Sequence, residues 1–283
     1  MLPRFTVLLA VNRGPHLLPY AIESVLAQTE SRFELLIVCD GAPSATAECA
    51  ESYARRDRRV SVFKFPKGER RGEAHRHAVL AQASGDFVAY IPDDDLWFPE
   101  HLDELGRLLE DVDFGNLLHV FIDAYGNLQC FPCDLNDREI TAKMLSDKYN
   151  LFGPTVVGHR RSLYTRLREG WAPGPPDVPT DLNMWRKFLS APGVRIASRV
   201  AVTSLHFPDA LRRDRSEADR VRELSEWSIR IRSPLERERI RQIVLLWLCR
   251  SALALKAAGE SPEPGAISAA LRIYDRQRKT KET

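Results

Sequence analysis

Three consecutive acidic residues, Asp93-Asp94-Asp95, form the stretch with the clearest capacity for chemistry. They follow the apolar run 87–91, which is bounded by turn residues and predicts a short buried strand. The acids would then lie at the carboxyl end of that strand, the edge of an open α/β sheet where ligands bind. Because neighbouring carboxylates repel one another, a divalent cation bridging to phosphate oxygens would relieve the repulsion and act as a Lewis acid. The alternative is a solvated acidic turn before a helix that begins near Pro99.

The chain before this acidic run alternates between strand-like and helix-like patterns. Apolar β-branched runs predict strands, and apolar residues at helical spacing predict the helices between them. In chain order these segments are strand 5–11, helix 15–28, strand 33–39, helix 45–56, strand 60–65, helix 73–83 and strand 87–91. This alternation favours an α/β fold with a mainly parallel central sheet flanked by helices.

Polar residues follow two of the other predicted strands at the same edge of the sheet. Asn12 follows the first strand and Asp40 follows the second. Their convergence with the acidic run would suit a nucleotide, since Asp40 can accept a pyrimidine N–H and Asp93 can hold a ribose hydroxyl. A simple turn at Asp40-Gly41 is the alternative. The sequence has no glycine-rich dinucleotide fingerprint after the first strand and no GxxxxGK phosphate loop, which disfavours dehydrogenases and P-loop enzymes.

The whole composition is that of an ordinary globular chain. Its 283 residues carry a net charge of +2 and are 44% apolar, which gives no reason to expect a nucleic-acid partner. Five cysteines, an odd number, with no secretory leader in evidence favour a reducing cytoplasm. Cys130 and Cys133 have redox-motif spacing but no second pair, so a functional role for them is disfavoured. No apolar run reaches the length of about 18 residues that spans a bilayer.

Several motifs stand in register along residues 5–186. They are Ser24–Thr29, Phe33–Gly41, Arg76-His77, Ala83–Asp86 and Pro92–Asp95. Together they resemble the family-two glycosyltransferases with the GT-A fold. The resemblance implies a GT-A nucleotide-diphospho-sugar transferase domain over residues 1–212, with a nucleotide-binding half 1–98 and an acceptor half 99–212. Residues 213–283 would form a C-terminal helical extension.

The resemblance also implies a set of site residues. The nucleotide would be bound by Val11, Asn12, Arg13, Asp40, Arg71, Arg76, Asp93 and Asp94. Mn²⁺ or Mg²⁺ would be held by Asp94, Asp95 and His206, where the histidine follows a predicted strand at 200–205. Pro92, His77 and a loop one residue short before Arg76 depart from the family pattern, which leaves the main metal ligand open between Asp94 and Asp95. For Arg71 and Arg76 the alternative is a solvated position on a helix.

A second group of motifs would serve the acceptor side. Thr180-Asp181 resembles the family's Glu-Asp motif at the start of a helix, which implies that Asp181 is the catalytic base. Asp181 could instead be a helix-start carboxylate favoured by the helix dipole.

The run Arg212-Arg213-Asp214-Arg215 could close over a diphosphate, since guanidinium groups match its oxygens, or be a solvated loop. Residues 115–130 predict a β-hairpin.

The resulting hypothesis is a metal-dependent, inverting glycosyltransferase. Its donor would be UDP- or dTDP-linked, and its acceptor a glycan, a lipid-linked saccharide or a small molecule. The rivals are a sugar nucleotidyltransferase and a degenerate, non-catalytic nucleotide-binding domain. In the extension, the apolar stripe formed by Ile240, Ile243, Val244, Trp247 and Leu248 would pack on the domain, bury a homodimer interface or touch an anionic membrane face. We therefore expect a cytoplasmic protein that is peripheral at the inner membrane face if the stripe binds lipid.

Overall fold

A computed structural model of the chain describes residues 2–131, 133–148 and 150–257. Its strands are β1 (Phe5–Val11), β2 (Phe33–Asp40), β3 (Val60–Phe65), β4 (Phe87–Pro92), β5 (Leu96–Trp97), β6 (Phe114–Leu117), β7 (His119–Ile122), β8 (Leu128–Phe131), β9 (Val157–Arg160), β10 (Ile196–Arg199) and β11 (Ser204–Leu205). Its helices are α1 (Leu18–Leu26), α2 (Ser44–Ala54), α3 (Glu73–Leu80), α4 (His101–Asp111), α5 (Arg138–Ser146), α6 (Arg161–Arg166), α7 (Thr180–Leu189), α8 (Glu217–Arg232) and α9 (Pro234–Ala257). Short 3₁₀ turns lie at Pro154–Val156 and Asp209–Leu211.

The main sheet has the strand order β10-β6-β9-β4-β1-β2-β3 within the described residues. β1 is parallel to β2 and β4, β2 is parallel to β3, and β10 is parallel to β6. β9 runs antiparallel between β4 and β6. The predicted α/β fold with a mainly parallel sheet is therefore confirmed, with one reversed strand whose direction the sequence pattern did not reveal.

The register of the central strands brings three polar segments to one edge. β1, β2 and β4 are almost wholly buried, as expected for continuous apolar runs in a sheet covered on both faces. Because they run in parallel, their carboxyl ends meet at the same edge. Asn12 follows β1, Asp40 is the last residue of β2, and Asp93 follows β4.

Two predicted segments on the acceptor side have different boundaries in the structure. The expected hairpin at 115–130 is divided, since β6 joins the main sheet and only β7 and β8 pair as a hairpin. The expected strand at 200–205 is reduced to β11, which pairs with β5, while β10 precedes it on the edge of the main sheet. Short apolar runs carry little information about which partner strand they meet, because that choice depends on distant residues.

The C-terminal helices pack on the body of the protein through a hydrophobic cluster of their own. α8 contributes Leu224, Trp227 and Ile231, and α9 contributes Ile240 and Val244. The cluster also contains side chains from β5, β7 and β11. Ile243 of the predicted stripe is 45% exposed, so most but not all of the stripe faces inward. The remainder of the predicted extension, residues 258–283, lies outside the described residues.

Candidate functional site

A cleft of about 890 Å³ lies at the carboxyl edge of the sheet. Most of the predicted site residues line it, namely Val11, Asn12, Arg13, Asp40, Arg71, Arg76, Asp93, Asp94, Asp181 and His206. Asp95 lies next to the cleft without lining it. The structure thus brings the two halves of the predicted site together, while the roles of the individual residues stay predictions.

The acidic run is buried and paired with arginines. The side chains of Asp93 and Asp94 are each 6% exposed. Arg13 places its Nε 3.0 Å from Asp93 Oδ2, an oxygen that receives no hydrogen bond, and its Nη1 donates to Asp94 Oδ2 over 3.1 Å. Burial, followed by the charges of Asp95 and Asp93, raises the pKa of Asp94, and Arg13 opposes this shift. Carboxylates crowded in this way attract a cation.

Asp95 has a different environment from its two neighbours. Its carboxylate is fully buried and accepts hydrogen bonds from the Thr155 hydroxyl, from His206 Nδ1 at 2.9 Å and from the backbone N–H of Phe207 at 3.0 Å. Burial would lower the pKa of His206, but Asp95 overcomes this effect and raises it. With Nδ1 held by Asp95, the other ring nitrogen of His206 remains for the cleft. A carboxylate that orients an imidazole in this way is common behind metal-binding histidines.

The residues present can accommodate a divalent cation in part. Asp94 and His206 line one cavity, and carboxylate with imidazole suits Mn²⁺. Across the part of the chain that the structure describes, no group of three His, Cys, Asp or Glu side chains converges to hold a metal. A cation that takes its remaining ligands from phosphate oxygens and water needs only one or two protein ligands. Of the two carboxylates left open by the sequence, Asp94 lines the cleft and Asp95 does not.

Asp40, the last residue of β2, lines the same cleft in a basic setting. It is 3% exposed and accepts from Lys67 Nζ and the Gly68 N–H, both at 2.6 Å, and it lies 3.1 Å from His75 Nδ1. Although burial opposes the change, these partners lower the pKa of Asp40. Gly72 has a φ of +71° and comes so close that a Cβ there would lie 2.5 Å from the carboxylate. The 67–72 loop therefore wraps around an ionised Asp40.

This loop also anchors the segment that carries Asp181. Buried Glu73 accepts from the Arg71 N–H at 3.0 Å and from the Thr180 hydroxyl at 2.9 Å. Arg70, with a φ of +51°, donates to the carbonyl oxygens of Gly174, Pro175 and Val178 in the proline-rich loop before α7. The threonine that departs from the family's acidic pattern thus links the start of α7 to the start of α3.

Asp181 lies in the first turn of α7, as its position in the sequence predicts. Its side chain is 26% exposed, and Oδ1 is 3.9 Å from Arg76 Nη1. Burial raises the pKa of Asp181, while Arg76 and then Arg71 act to lower it. The Arg76 guanidinium lies 4.9 Å over the Trp171 ring, and its Nε has no hydrogen-bond partner. A carboxylate of raised pKa in a cleft has the properties of a general base.

Neither interpretation of the run 212–215, a diphosphate contact or a solvated loop, fits its first arginine. Arg212 is 2% exposed and is bound to both Glu223 oxygens at 2.7 and 2.8 Å, so it secures α8 and does not face the cleft. Besides Arg13, the acidic run is reached by Arg220 of α8, whose Nη2 lies 2.7 Å from Asp94 Oδ2. Sequence reasoning missed it and its partner Asp209, although its position one turn before buried Leu224 on α8 was a usable signal.

Comparison with known proteins establishes the class. Residues 6–159 match the model of the family described as Glycosyl transferase family 2. Because the match covers more than half of the 283 residues, the chain belongs to this family. The parallel sheet with its flanking helices is that of the GT-A glycosyltransferases.

Individual relatives are similar over shorter stretches. The succinoglycan biosynthesis protein ExoW of Rhizobium meliloti is 34% identical over 92 residues, which is 32% of this chain and 29% of ExoW. The putative glycosyltransferase EpsH of Bacillus subtilis is 33% identical over 110 residues, 38% of this chain and 31% of EpsH. The chain therefore matches only about a third of the length of these curated relatives.

Solved structures are similar over most of the chain. S. aureus TarS 1–349 in complex with UDP is 19% identical with a TM-score of 0.57, covering 93% of this chain and 74% of that one. The mannosyltransferase PcManGT from Pyrobaculum calidifontis, in complex with GDP-Man and Mn²⁺, is 18% identical with a TM-score of 0.53, covering 99% and 83%. At these identities the likeness establishes the fold. Within the described ranges, no helix is both long and apolar enough to cross a membrane.

Proposed function

We propose that the protein is a metal-dependent, inverting glycosyltransferase that moves a sugar from a nucleoside diphosphate to an acceptor hydroxyl. One observation carries the proposal: the crowded carboxylates of Asp93 and Asp94 and the separate carboxylate of Asp181 line the same cleft. The first group suits a cation with a diphosphate, and the second suits a general base. Complexes of TarS with UDP-GlcNAc and of PcManGT with GDP-Man support a nucleotide-sugar donor.

The donor would lie along the carboxyl edge of the sheet. Asp40, whose lowered pKa keeps it ionised, would accept the ring N–H of a uracil or thymine base, and Asn12 and Val11 line the same cleft. Asp93 would bind a ribose hydroxyl. Arg13, Arg71 and Arg76 would meet the phosphates, since guanidinium groups form paired hydrogen bonds with phosphate oxygens.

Asp94 and His206 would hold Mn²⁺ or Mg²⁺, and Asp95 would position His206 from behind. The bound cation supplies positive charge that stabilises the leaving diphosphate. The crowding of Asp94 against two other carboxylates supports this role, because ionisation of all three is unfavourable without added positive charge.

Asp181 would remove the proton of the acceptor hydroxyl as its oxygen attacks the anomeric carbon. The bond between that carbon and the phosphate oxygen breaks, and its electron pair leaves with the diphosphate. One base and one displacement invert the anomeric centre. Because burial raises the pKa of Asp181, the carboxylate is more basic than an exposed aspartate and takes up the proton more readily.

The domain division and the partners are part of the proposal. Residues 1–212 would form the catalytic domain and residues 213–283 the extension, whose described part packs on β5, β7 and β11. The acceptor would be a glycan, a lipid-linked saccharide or a small molecule. Homodimerisation or peripheral membrane binding would use the exposed part of α9.

A panel of nucleotide sugars, assayed with Mn²⁺, with Mg²⁺ and with EDTA, tests the function. Cation-dependent hydrolysis or transfer with inversion, read from the anomeric configuration of the product by NMR, would support it. Formation of a sugar nucleotide from sugar phosphate would instead indicate a nucleotidyltransferase. Nucleotide binding without turnover of any donor would indicate a non-catalytic domain.

Two variants separate the proposed roles. Asp181→Asn should retain donor affinity while turnover falls about 10²–10⁴-fold, the usual range for loss of a general base. Asp94→Ala should lose cation-dependent nucleotide binding as well as turnover. Asp111→Asn, an exposed change at the end of α4, serves as the control. Normal turnover by the Asp181 variant would refute its assignment as the base.

A further inference from the structure

Two arginines from opposite ends of the chain share the same acidic partners. Arg13 follows β1, and Arg220 lies on α8. Arg220 Nη2 donates to Asp94 Oδ2 at 2.7 Å and to Asp209 Oδ1 at 2.8 Å. Arg13 donates to the same Asp94 oxygen at 3.1 Å and to both Asp209 oxygens at 3.0 Å. One oxygen of Asp94 thus receives guanidinium groups from both residues.

Arg220 is held in this position by a well-anchored helix. The Ser216 hydroxyl caps α8 by accepting from the Asp219 N–H at 3.1 Å. One turn after Arg220, Leu224 is buried in the cluster that joins α8 to the body of the protein. The Arg220 side chain is only 17% exposed. Its approach to the acidic run is therefore a packed contact and not the chance pairing of a surface side chain.

The position of this contact suggests its purpose. A cation that binds Asp94 would compete with both guanidinium groups for the same carboxylate oxygen. The displaced guanidinium groups would then lie beside phosphate oxygens bound to that cation, and the planar guanidinium fork matches phosphate as well as it matches carboxylate. Each charged group would keep a partner of opposite charge in this exchange. Asp94 would bind the cation in place of arginine, and the arginine would bind phosphate in place of Asp94.

We propose that Arg220 binds the donor diphosphate, so that α8 of the C-terminal extension supplies part of the donor site. This inference rests on the proposed function. Without donor, Arg220 holds Asp94 in place of the cation. With donor, it contacts the phosphates. A purely structural ion pair between α8 and the acidic run is the alternative that the test must separate.

Arg220→Ala separates these roles through nucleotide binding measured by calorimetry. UDP, dTDP and GDP are titrated with Mn²⁺, each beside its monophosphate. We expect the diphosphate that the wild-type protein binds to weaken about 10- to 100-fold, as for loss of a charged hydrogen bond, and its monophosphate to weaken much less. Arg222→Ala is the matched control, because Arg222 is 69% exposed on the same helix and pairs with Asp219. It should leave both affinities unchanged.

Titration with Mn²⁺ in the absence of nucleotide, followed by electron paramagnetic resonance, tests the competition for Asp94. Here we expect the variant to bind more tightly than wild type, whereas it should bind the diphosphate more weakly. Removal of a competing guanidinium should make Arg220→Ala bind free Mn²⁺ more tightly than wild type, and equal or weaker binding would contradict the competition for Asp94. Arg220→Lys keeps the charge but loses the fork, and it carries the comparison of diphosphate with monophosphate affinity if the alanine variant does not fold.

The outcomes are distinguishable. Selective loss of diphosphate affinity with tighter Mn²⁺ binding supports the inference. Unchanged diphosphate affinity, or equal loss of diphosphate and monophosphate, overturns it while the proposed function stands. If the wild-type protein binds no nucleoside diphosphate, the proposed function is refuted, and this inference with it.

Discussion

Asp95→Asn is the most informative single change, because it tests whether Asp95 positions His206 from behind. The substitution keeps the size of the side chain and removes its charge. In the protein the buried carboxylate accepts from Thr155, from His206 Nδ1 at 2.9 Å and from the Phe207 N–H at 3.0 Å. An amide can still accept from one of these donors, but its NH₂ group would face another donor. Breaking such a buried pair costs about 3–5 kcal/mol in the free energy of unfolding.

The pH dependence of this loss has a defined sign. The partners of Asp95 lower its pKa in the folded protein, although burial acts to raise it. The ionised carboxylate therefore stabilises the fold above its pKa in the unfolded chain, near 3.8, and this stabilisation is lost as the pH falls through its lower pKa in the folded protein. The pKa of His206 is raised in the folded protein. The protonated imidazole therefore stabilises the fold below its pKa in the unfolded chain, near 6.5, and this stabilisation is lost as the pH rises through its higher pKa in the folded protein. The difference in the free energy of unfolding between wild type and Asp95→Asn should therefore be largest between pH 3.8 and pH 6.5, and it should become smaller at alkaline pH.

Urea unfolding at pH 5.5, 7 and 9 measures this difference, and NMR titration of the histidine rings reports the pKa of His206. In the variant that pKa should fall below its ordinary value, because burial is then no longer opposed by Asp95. Thr155→Val, which removes one donor but leaves the charged pair, should lower stability less and keep the pKa of His206 raised. A stability difference that is the same at all three pH values, or an unchanged pKa of His206, would refute the pairing.

Two further predictions concern the base pocket and the C-terminal helices. Asp40→Ala should weaken nucleoside monophosphates and diphosphates alike by about 10- to 100-fold, because its charged hydrogen bond would go to the base; equal calorimetric affinity of variant and wild type would contradict this. If the exposed apolar side of α9 binds anionic lipid, the full chain should co-sediment with anionic vesicles but not with neutral ones, and Ile243→Glu should abolish this co-sedimentation. A protein that is monomeric in ultracentrifugation and binds neither kind of vesicle would leave packing within the chain as the role of the stripe.

The sequence was sufficient for the parts of the site that depend on local pattern. Continuous apolar runs identified the parallel strands, and strand direction then brought Asn12, Asp40 and Asp93 to one edge. Thr180-Asp181 lies at a helix start, as its resemblance to the family's Glu-Asp motif implied. These features are determined by residues close together in the chain.

The remaining contacts depend on residues that are distant in sequence. Asp94 and Asp95 are adjacent and chemically identical, yet one faces two arginines and the other is bound beneath the cleft by His206. Likewise Arg212 and Arg220 belong to one arginine-rich segment, and packing of α8 determines which of them reaches the site. No local pattern distinguishes the members of either pair, because the difference arises from tertiary packing.

The contact between α8 and the acidic run has a consequence for synthesis on the ribosome. The strands that carry Asn12, Asp40 and Asp93 emerge early, but Arg220 emerges only after the whole acceptor side has been made. Until then Asp94 lacks one of the two guanidinium groups that pair with it in the folded protein. A nascent chain halted before α8 would therefore present Asp94 with Arg13 as a partner but without Arg220, and docking of this late helix would add the second guanidinium group.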